Sequence, residues 1–263
     1  LLLQCNNKPV SPMNNSYRGY WDGNGTTPIH PYVLSELHKS LSECWGNPST
    51  LLPSGLLAKK LIQNATETLL RLFAWDSNST SNSTSNSTSN STSNSTSNEG
   101  RVIWCGSGTE ADNLAIDLAL SIYHIRNPSS TAVPNIVTSA VEHPAVMLYL
   151  KKLSSSGKII LHIVSPCPKT GTLSPPTFAS HVTKNTAMVT VINAQNETGE
   201  IIKIDEISRL CRERNGNVIV HSDAAQGVGK HPNLTFPLSP TTPCYWDSVD
   251  MATVVGHKIG APK

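Results

Sequence analysis

From Arg101 onward the chain alternates between two kinds of segment. Strand-like runs at 102–105, 135–140, 159–164, 188–193, 218–221 and 251–255 are separated by helix-like runs at 110–125, 144–153 and 204–214. Strands alternating with helices predict an α/β domain with a mostly parallel sheet flanked by helices. In such sheets ligands bind beyond the carboxyl ends of the strands. The polar motifs of this chain fall mostly at those ends, which is the first sign of a site.

Upstream the pattern is different. Residues 1–20 are rich in Asn, Pro and Ser and are expected to be extended or disordered. A glycine-rich turn, Tyr20-Trp21-Asp22-Gly23-Asn24-Gly25-Thr26-Thr27-Pro28, leads into a predicted helix over 31–43, where Val33, Leu34, Leu37 and Leu41 recur at helical spacing. Gly46-Asn47-Pro48-Ser49 breaks the chain, and Leu56, Leu57, Leu61, Ile62, Ala65, Leu69 and Leu72 mark a second helix. Between Asp76 and Glu99 runs a tandem Asn-Ser-Thr-Ser tract without an apolar residue. It cannot build a core and reads as a disordered surface insertion over 77–98. Its sequon matches are an automatic product of the repeat and carry no argument for glycosylation.

The totals bound the partners. With 263 residues the chain can bury a sizeable core. Twenty basic residues against 18 acidic ones give a net charge of +2 with no basic run, which argues against nucleic acid and against a membrane surface. No apolar run approaches the roughly 18–20 residues of a membrane span. Six scattered cysteines (Cys5, Cys44, Cys105, Cys167, Cys211, Cys244) form no CxxC pair or Cys/His cluster, so neither a metal site nor a disulfide framework is expected. Isolated thiols suit a cytoplasmic compartment. One arginine in the first 25 residues is thin support for a mitochondrial one.

Five motifs carry chemistry. Cys105-Gly106-Ser107-Gly108-Thr109-Glu110-Ala111 opens a helix, whose N-terminal amides and Thr hydroxyl make a phosphate cradle. The same residues fit the dinucleotide fingerprint, but that fold wants an acidic residue about 20 positions on, and none occurs between Asp117 and Glu142. A helix-capping turn is the plain alternative. Ser139-Ala140-Val141-Glu142-His143-Pro144 puts His143 just past a strand, before a proline suited to the first helical position. Asn193-Ala194-Gln195-Asn196-Glu197-Thr198-Gly199 sets amide side chains at a strand end, where a turn-forming Asn is the simpler reading.

In His221-Ser222-Asp223-Ala224-Ala225-Gln226 a strand delivers a carboxylate, with a helix N-cap as its alternative role. A carboxylate there could pair with a pyridinium nitrogen and sustain an electron sink. Last comes Gly256-His257-Lys258, a lysine at the end of a strand-like run beside a glycine and an imidazole. Such a lysine is suited to forming a Schiff base with pyridoxal phosphate.

Taken in order, G-S-G-T-E-A-D-N, V-E-H-P-A-V, Q-N-E-T-G-E-I, H-S-D-A-A-Q-G-V-G-K and G-H-K-I-G-A-P-K resemble the class V aminotransferase superfamily of fold-type-I pyridoxal phosphate proteins. Within it they resemble the NifS-like cysteine desulfurases and selenocysteine lyases, and D-G-N-G-T-T-P and W-G-N-P-S-T are similar to that group's opening segment. The resemblance runs from Tyr20 to Lys263, interrupted by the Asn-Ser-Thr tract.

That resemblance implies an N-terminal segment over 1–27 and a fold-type-I large domain over 28–263 that binds pyridoxal 5'-phosphate. Gly108 and Thr109 would hold the cofactor phosphate, with His257 adding a contact. His143 would stack on the ring, Asp223 would bind the ring nitrogen, and Gln226 and Asn196 would lie at the phenolic oxygen, Asn196 also near the substrate carboxylate. Lys258 would carry the cofactor and then move protons. The implied activity removes sulfur or selenium from L-cysteine or L-selenocysteine to leave L-alanine, in a homodimer, with a sulfur or selenium acceptor protein as a further partner.

Some positions depart from the family. Val255 stands where many cysteine desulfurases carry a phosphate-contacting Ser, as in selenocysteine lyases, whereas Pro144 replaces the acidic residue of animal selenocysteine lyases. Gln195 replaces the usual first Asn of its motif. The family continues past the lysine into a C-terminal small domain with a nucleophilic Cys loop and a carboxylate-binding Arg, and the sequence stops at Lys263. The expectation is therefore a truncated chain, with two alternatives: a remnant that binds cofactor or partner without turnover, and another class V enzyme.

Overall fold

The computed structural model describes residues 19–72, 100–231 and 245–263. The expected insertion at 77–98 and most of the expected N-terminal segment lie outside the described residues. The chain divides into two compact units, Ile103–Val255 and a second formed by Leu1–Val102 with Gly256–Lys263.

The Ile103–Val255 unit holds a five-stranded, all-parallel sheet in the order β2-β1-β3-β4-β5. Its strands are β1 (Asn135–Ser139), β2 (Ile160–Val164), β3 (Thr186–Thr190), β4 (Ile219–Asp223) and β5 (Met251–Thr253). The helices are α3 (Gly108–Arg126), α4 (Pro144–Ser155), α5 (Pro175–His181) and α6 (Ile204–Arg214), numbered after α1 and α2 of the other unit. Strands β1, β3 and β4 are buried along their whole length, as a parallel sheet covered on both faces requires.

Helical periodicity decides which residues build the core. Ala115, Ile116, Ala119 and Tyr123 make one stripe of α3, and Val146, Leu150 and Leu153 make one of α4. Both stripes close on the row Ile136, Met188 and Ile219, which the strand register aligns across three strands. Ile116, Ile136, Leu150 and Met188 are fully enclosed, each worth roughly 1.5–3 kcal/mol in apolar burial. On the opposite side α5 packs with α6, whose stripe is Ile204, Ile207, Ser208 and Cys211.

The order of strands creates a switch point. From β1 the chain passes through α4 to β2 on one side, then through α5 to β3 on the other side of β1. Between β1 and β3 the connections leave in opposite directions, and in sheets of this kind ligands bind beyond the carboxyl ends at such a point.

Two expectations need correction, and one helix has no counterpart among them. The run at 102–105 is not a strand: Ile103 and Trp104 are 59% and 58% exposed, and apolar character alone makes no ladder. The ladder of β3 covers residues 186–190 rather than 188–193, although Val191 and Asn193 still donate to His221 O and Asp223 O at 3.1 and 3.0 Å. Helix α5 was absent from the sequence reading because it has only seven residues, two of them the opening prolines. Such a helix is too short to display a stripe.

In the other unit, α1 (Pro31–Glu43) and α2 (Pro53–Leu72) fall where the leucine spacing put them. His30 caps α1 through Nδ1, accepting the Tyr32 amide at 3.4 Å. A 3-10 turn, Gly256–Lys258, carries the lysine.

Candidate active site

At the carboxyl ends of β1 and β3 one side chain joins the two segments. Glu142 follows β1, and its Oε1 accepts from Ser139 Oγ and, at 3.0 Å, from the Ile192 amide beyond β3. The other oxygen, Oε2, is buried without a hydrogen-bond partner. Burial pushes this carboxyl up to about 8, with Asp223 and Asp112 adding to the rise and the two hydrogen bonds opposing it. At neutral pH Glu142 is therefore mainly a neutral acid that ties the two strand ends together.

Its neighbour His143 caps α4. The ring's Nδ1 accepts the Ala145 amide at 3.2 Å, and Pro144 takes the first helical position, where its missing N–H costs nothing. An accepting Nδ1 leaves the proton of a neutral imidazole on Nε2.

Asp223 is the last residue of β4 and only 4% exposed. Its Oδ1 accepts the Ala225 amide at 3.0 Å, which is the capping role. Two residues earlier, His221 is fully buried between Thr190 (Nδ1 to Oγ1, 2.8 Å) and Thr253 (Nε2 to Oγ1, 3.1 Å). Burial lowers its pKa to about 4, so the ring is neutral, and Asp112 Oδ1 at 3.9 Å from Nε2 makes no ion pair with it. Beyond β4, Lys230 Nζ donates to Gln226 Oε1 at 2.6 Å. An ammonium has only donors, so it is the Gln226 amide oxygen that faces Lys230.

Gly108 and Thr109 form the first turn of α3, whose opening amides have no partner within the helix. Ser107 caps the helix by accepting Glu110 N–H at 3.1 Å, and Glu110 Oε2 accepts the Gly106 amide at 2.7 Å. A Cβ on Gly108 would stand 2.7 Å from Val255 Cγ2, so the backbone approach of α3 to the end of the sheet depends on glycine. After β3, Gln195 Oε1 accepts the amides of Glu197 and Thr198 at 2.5 and 2.7 Å. Gln195 thus shapes the turn on which the half-buried Asn196 sits. Gly108, Thr109, His143, Asn196, Asp223 and Gln226 all belong to this unit.

His257 and Lys258 belong to the other unit. Their turn is held by the N-terminal segment. His257 O accepts from Thr27 N at 2.8 Å and from Thr27 Oγ1 at 2.9 Å, and Gly260 N donates to Thr27 Oγ1 at 2.8 Å. Thr26 Oγ1 lies 3.1 Å from His257 Nδ1, and His30 N donates to Gly260 O at 2.9 Å. Burial, then the charges of Lys258 and Lys263, lower the His257 pKa.

The roles of Glu142, His221, Thr26 and Thr27 were absent from the sequence reading, although V-E-H-P and D-G-N-G-T-T-P contain three of them. Among the described cysteines, Cys211 is buried and pushed up to about 12, burial also raises Cys105, and the exposed Cys167 is lowered by hydrogen bonding to Thr170. Among the described residues no group of three or more His, Cys, Asp or Glu could hold a metal ion.

A parallel sheet with a β1/β3 switch point, covered by helices, and polar motifs at its carboxyl ends is the architecture of fold-type-I pyridoxal phosphate enzymes. The chain belongs to the aminotransferase class-V family, whose model matches residues 92–263. Members of this family depend on pyridoxal phosphate. Selenocysteine lyase of Bos taurus is 30% identical over 267 residues, covering 94% of this chain and 54% of the relative. Cysteine desulfurase of Nostoc sp. is 32% identical over 244 residues, covering 93% and 50%.

The crystal structure of DndA from Streptomyces lividans matches with a TM-score of 0.65 and 28% identity, over 93% of this chain and 57% of that one. A NifS-like protein matches in fold, with a TM-score of 0.71 and 23% identity over 92% and 56%. The chain spans about half the length of the curated relatives it matches.

Proposed function

We propose that this chain is the cofactor-binding part of a pyridoxal-phosphate-dependent lyase that removes sulfur or selenium from L-cysteine or L-selenocysteine and leaves L-alanine. The observation that carries the reading is the set of groups gathered at the carboxyl ends of the sheet: a Cβ-free helix start at Gly108, a capped His143, and Asp223 at the tip of β4. These residues fit the cofactor. The amides of Gly108 and Thr109 suit a phosphate, the Gln226 amide group suits a phenolic oxygen, and Asp223 suits a pyridinium nitrogen. When bound, the cofactor supplies an electron sink for carbanion chemistry.

The chain's residues would act around it. His143 packs against the ring plane and excludes water from that side. Asn196 orients the substrate carboxylate. Lys258 holds the cofactor, and its Nζ carries protons to and from the substrate Cα, while His257 adds a contact at the phosphate. The complete protein forms a homodimer and passes its sulfur or selenium to an acceptor protein. A cytoplasmic location suits the free thiols of Cys44, Cys105, Cys167 and Cys211.

A second reading is a binding module without turnover. Among the described thiols, Cys211 is enclosed in the core and burial raises both Cys211 and Cys105, which favours it, whereas the exposed Cys167, lowered by hydrogen bonding to Thr170, does not. Purified chain incubated with pyridoxal phosphate separates the readings. Yellow protein that releases alanine from cysteine or selenocysteine supports the lyase, yellow protein without alanine supports the module, and colourless protein contradicts both.

A further inference from the structure

The turn that carries Lys258 is fastened on both sides by one hydroxyl. Thr27 Oγ1 donates to His257 O at 2.9 Å and accepts the Gly260 amide at 2.8 Å, bridging the residue before the lysine and the second residue after it. The Thr27 amide reinforces the first bond, donating to His257 O at 2.8 Å. Thr26 holds the neighbouring imidazole at 3.1 Å, and His30 N–H donates to Gly260 O at 2.9 Å. Gly260 adopts φ +85°, and a Cβ there would meet His30 Cβ at 3.2 Å, so the exit from the turn is also shaped to this segment.

A three-residue 3-10 turn has too few internal hydrogen bonds to hold a lysine backbone by itself. Its geometry is supplied from a strand of chain more than two hundred positions earlier, with Thr27 and His257 separated by 230 residues. Two properties make threonine suited to the task. Its hydroxyl both donates and accepts, matching the carbonyl and the amide that it faces. Its β-branched side chain restricts χ1, so the bridge is preformed.

We infer that Thr27 is a positioning residue for Lys258, fixing the backbone on both sides of the lysine through the His257 carbonyl and the Gly260 amide. This rests on the reading of Lys258 as the cofactor lysine, and it adds a role for the Thr-Thr pair. Thr27 acts through the turn, by its contacts with the His257 carbonyl and the Gly260 amide.

Thr27→Val keeps the shape and deletes the hydroxyl, whereas Thr27→Ser keeps the hydroxyl. Two readouts apply. The first is amide hydrogen exchange at Gly260 in the full chain without cofactor. The second is the rate at which borohydride traps a pyridoxyl group on Lys258 with pyridoxal phosphate present, located by peptide mass spectrometry. The expected result is lost Gly260 protection and trapping slowed by about tenfold or more in Thr27→Val, since small misplacements of reacting groups carry penalties of that size. Thr27→Ser should behave as the unsubstituted chain in both.

Protected Gly260 in Thr27→Val, unchanged trapping in that variant, or unprotected Gly260 in Thr27→Ser would each overturn the inference. The serine arm still decides the matter where the valine variant fails to fold. If the unsubstituted chain itself takes no pyridoxyl group on Lys258, the cofactor reading falls, and Gly260 exchange alone then decides whether Thr27 clamps the turn.

Discussion

The Glu142 carboxyl and the Ile192 amide, 3.0 Å apart, join the ends of β1 and β3 at the point where the strand order reverses. The bond fixes the loop that presents His143 and, through Ile192, the chain leading to Asn196. It holds one of the most deeply buried acids in the fold, and its protonation follows from that position.

This predicts a stability profile. A carboxyl whose folded pKa is about 8, against a usual 4.5, keeps its proton in the folded state where the unfolded chain has released it. Its contribution is fully present below 4.5 and is lost as pH rises towards 8, at up to about 1.4 kcal/mol per pH unit. Glu142→Gln, which mimics the neutral acid, should flatten the wild-type decline between pH 6.5 and 8. Denaturant titration at several pH values checks this, and an unchanged slope would contradict it.

His221 works in the opposite direction. Its folded pKa of about 4 lies below the usual 6.5, so stability is lost as pH falls through that window. His221→Phe should remove this acid-side loss while leaving the hydroxyls of Thr190 and Thr253 without their partner. Each hydroxyl left unpaired would cost about 1–3 kcal/mol at neutral pH. Thermal melts at pH 5 and pH 7 distinguish the two effects.

The approach of α3 to the end of the sheet has its own test. Gly108→Ala brings a Cβ to 2.7 Å from Val255 Cγ2 and should destabilise by about 1–3 kcal/mol. It should also weaken phosphate binding. Val255→Ala removes the obstructing methyl groups, so the double variant should be more stable than additivity allows. Strict additivity in a double-mutant cycle would show that the contact does not limit the approach.

The core prediction is simpler. Ile116 is fully enclosed between α3 and the sheet, and Ile116→Ala should cost about 2–5 kcal/mol in unfolding free energy by denaturant titration.

Much of this fold was legible because periodicity reports burial. The stripes of α3, α4 and α6 and the apolar runs of β1 and β4 were readable, since each is buried as its pattern advertises, and β2 was readable as an apolar run although Ile160 and Ile163 are exposed. The run at 102–105 misled because Ile103 and Trp104 are apolar yet exposed, and α5 is too short for a stripe. The positions of His143 just past β1 and of Asp223 at the strand tip of β4 were readable. Glu142 was not, because its role depends on the Ile192 amide fifty residues away. Thr27 escaped for the same reason, its partners lying at the far end of the chain. Long-range polar contacts leave no local pattern.

The central claim is that Lys258 carries pyridoxal phosphate. Borohydride reduction of the chain with one equivalent of cofactor, followed by peptide mass spectrometry, tests it most directly. A single pyridoxyl group on Lys258, lost in Lys258→Ala, is the predicted result, and no modification, or modification spread over surface lysines, would contradict it.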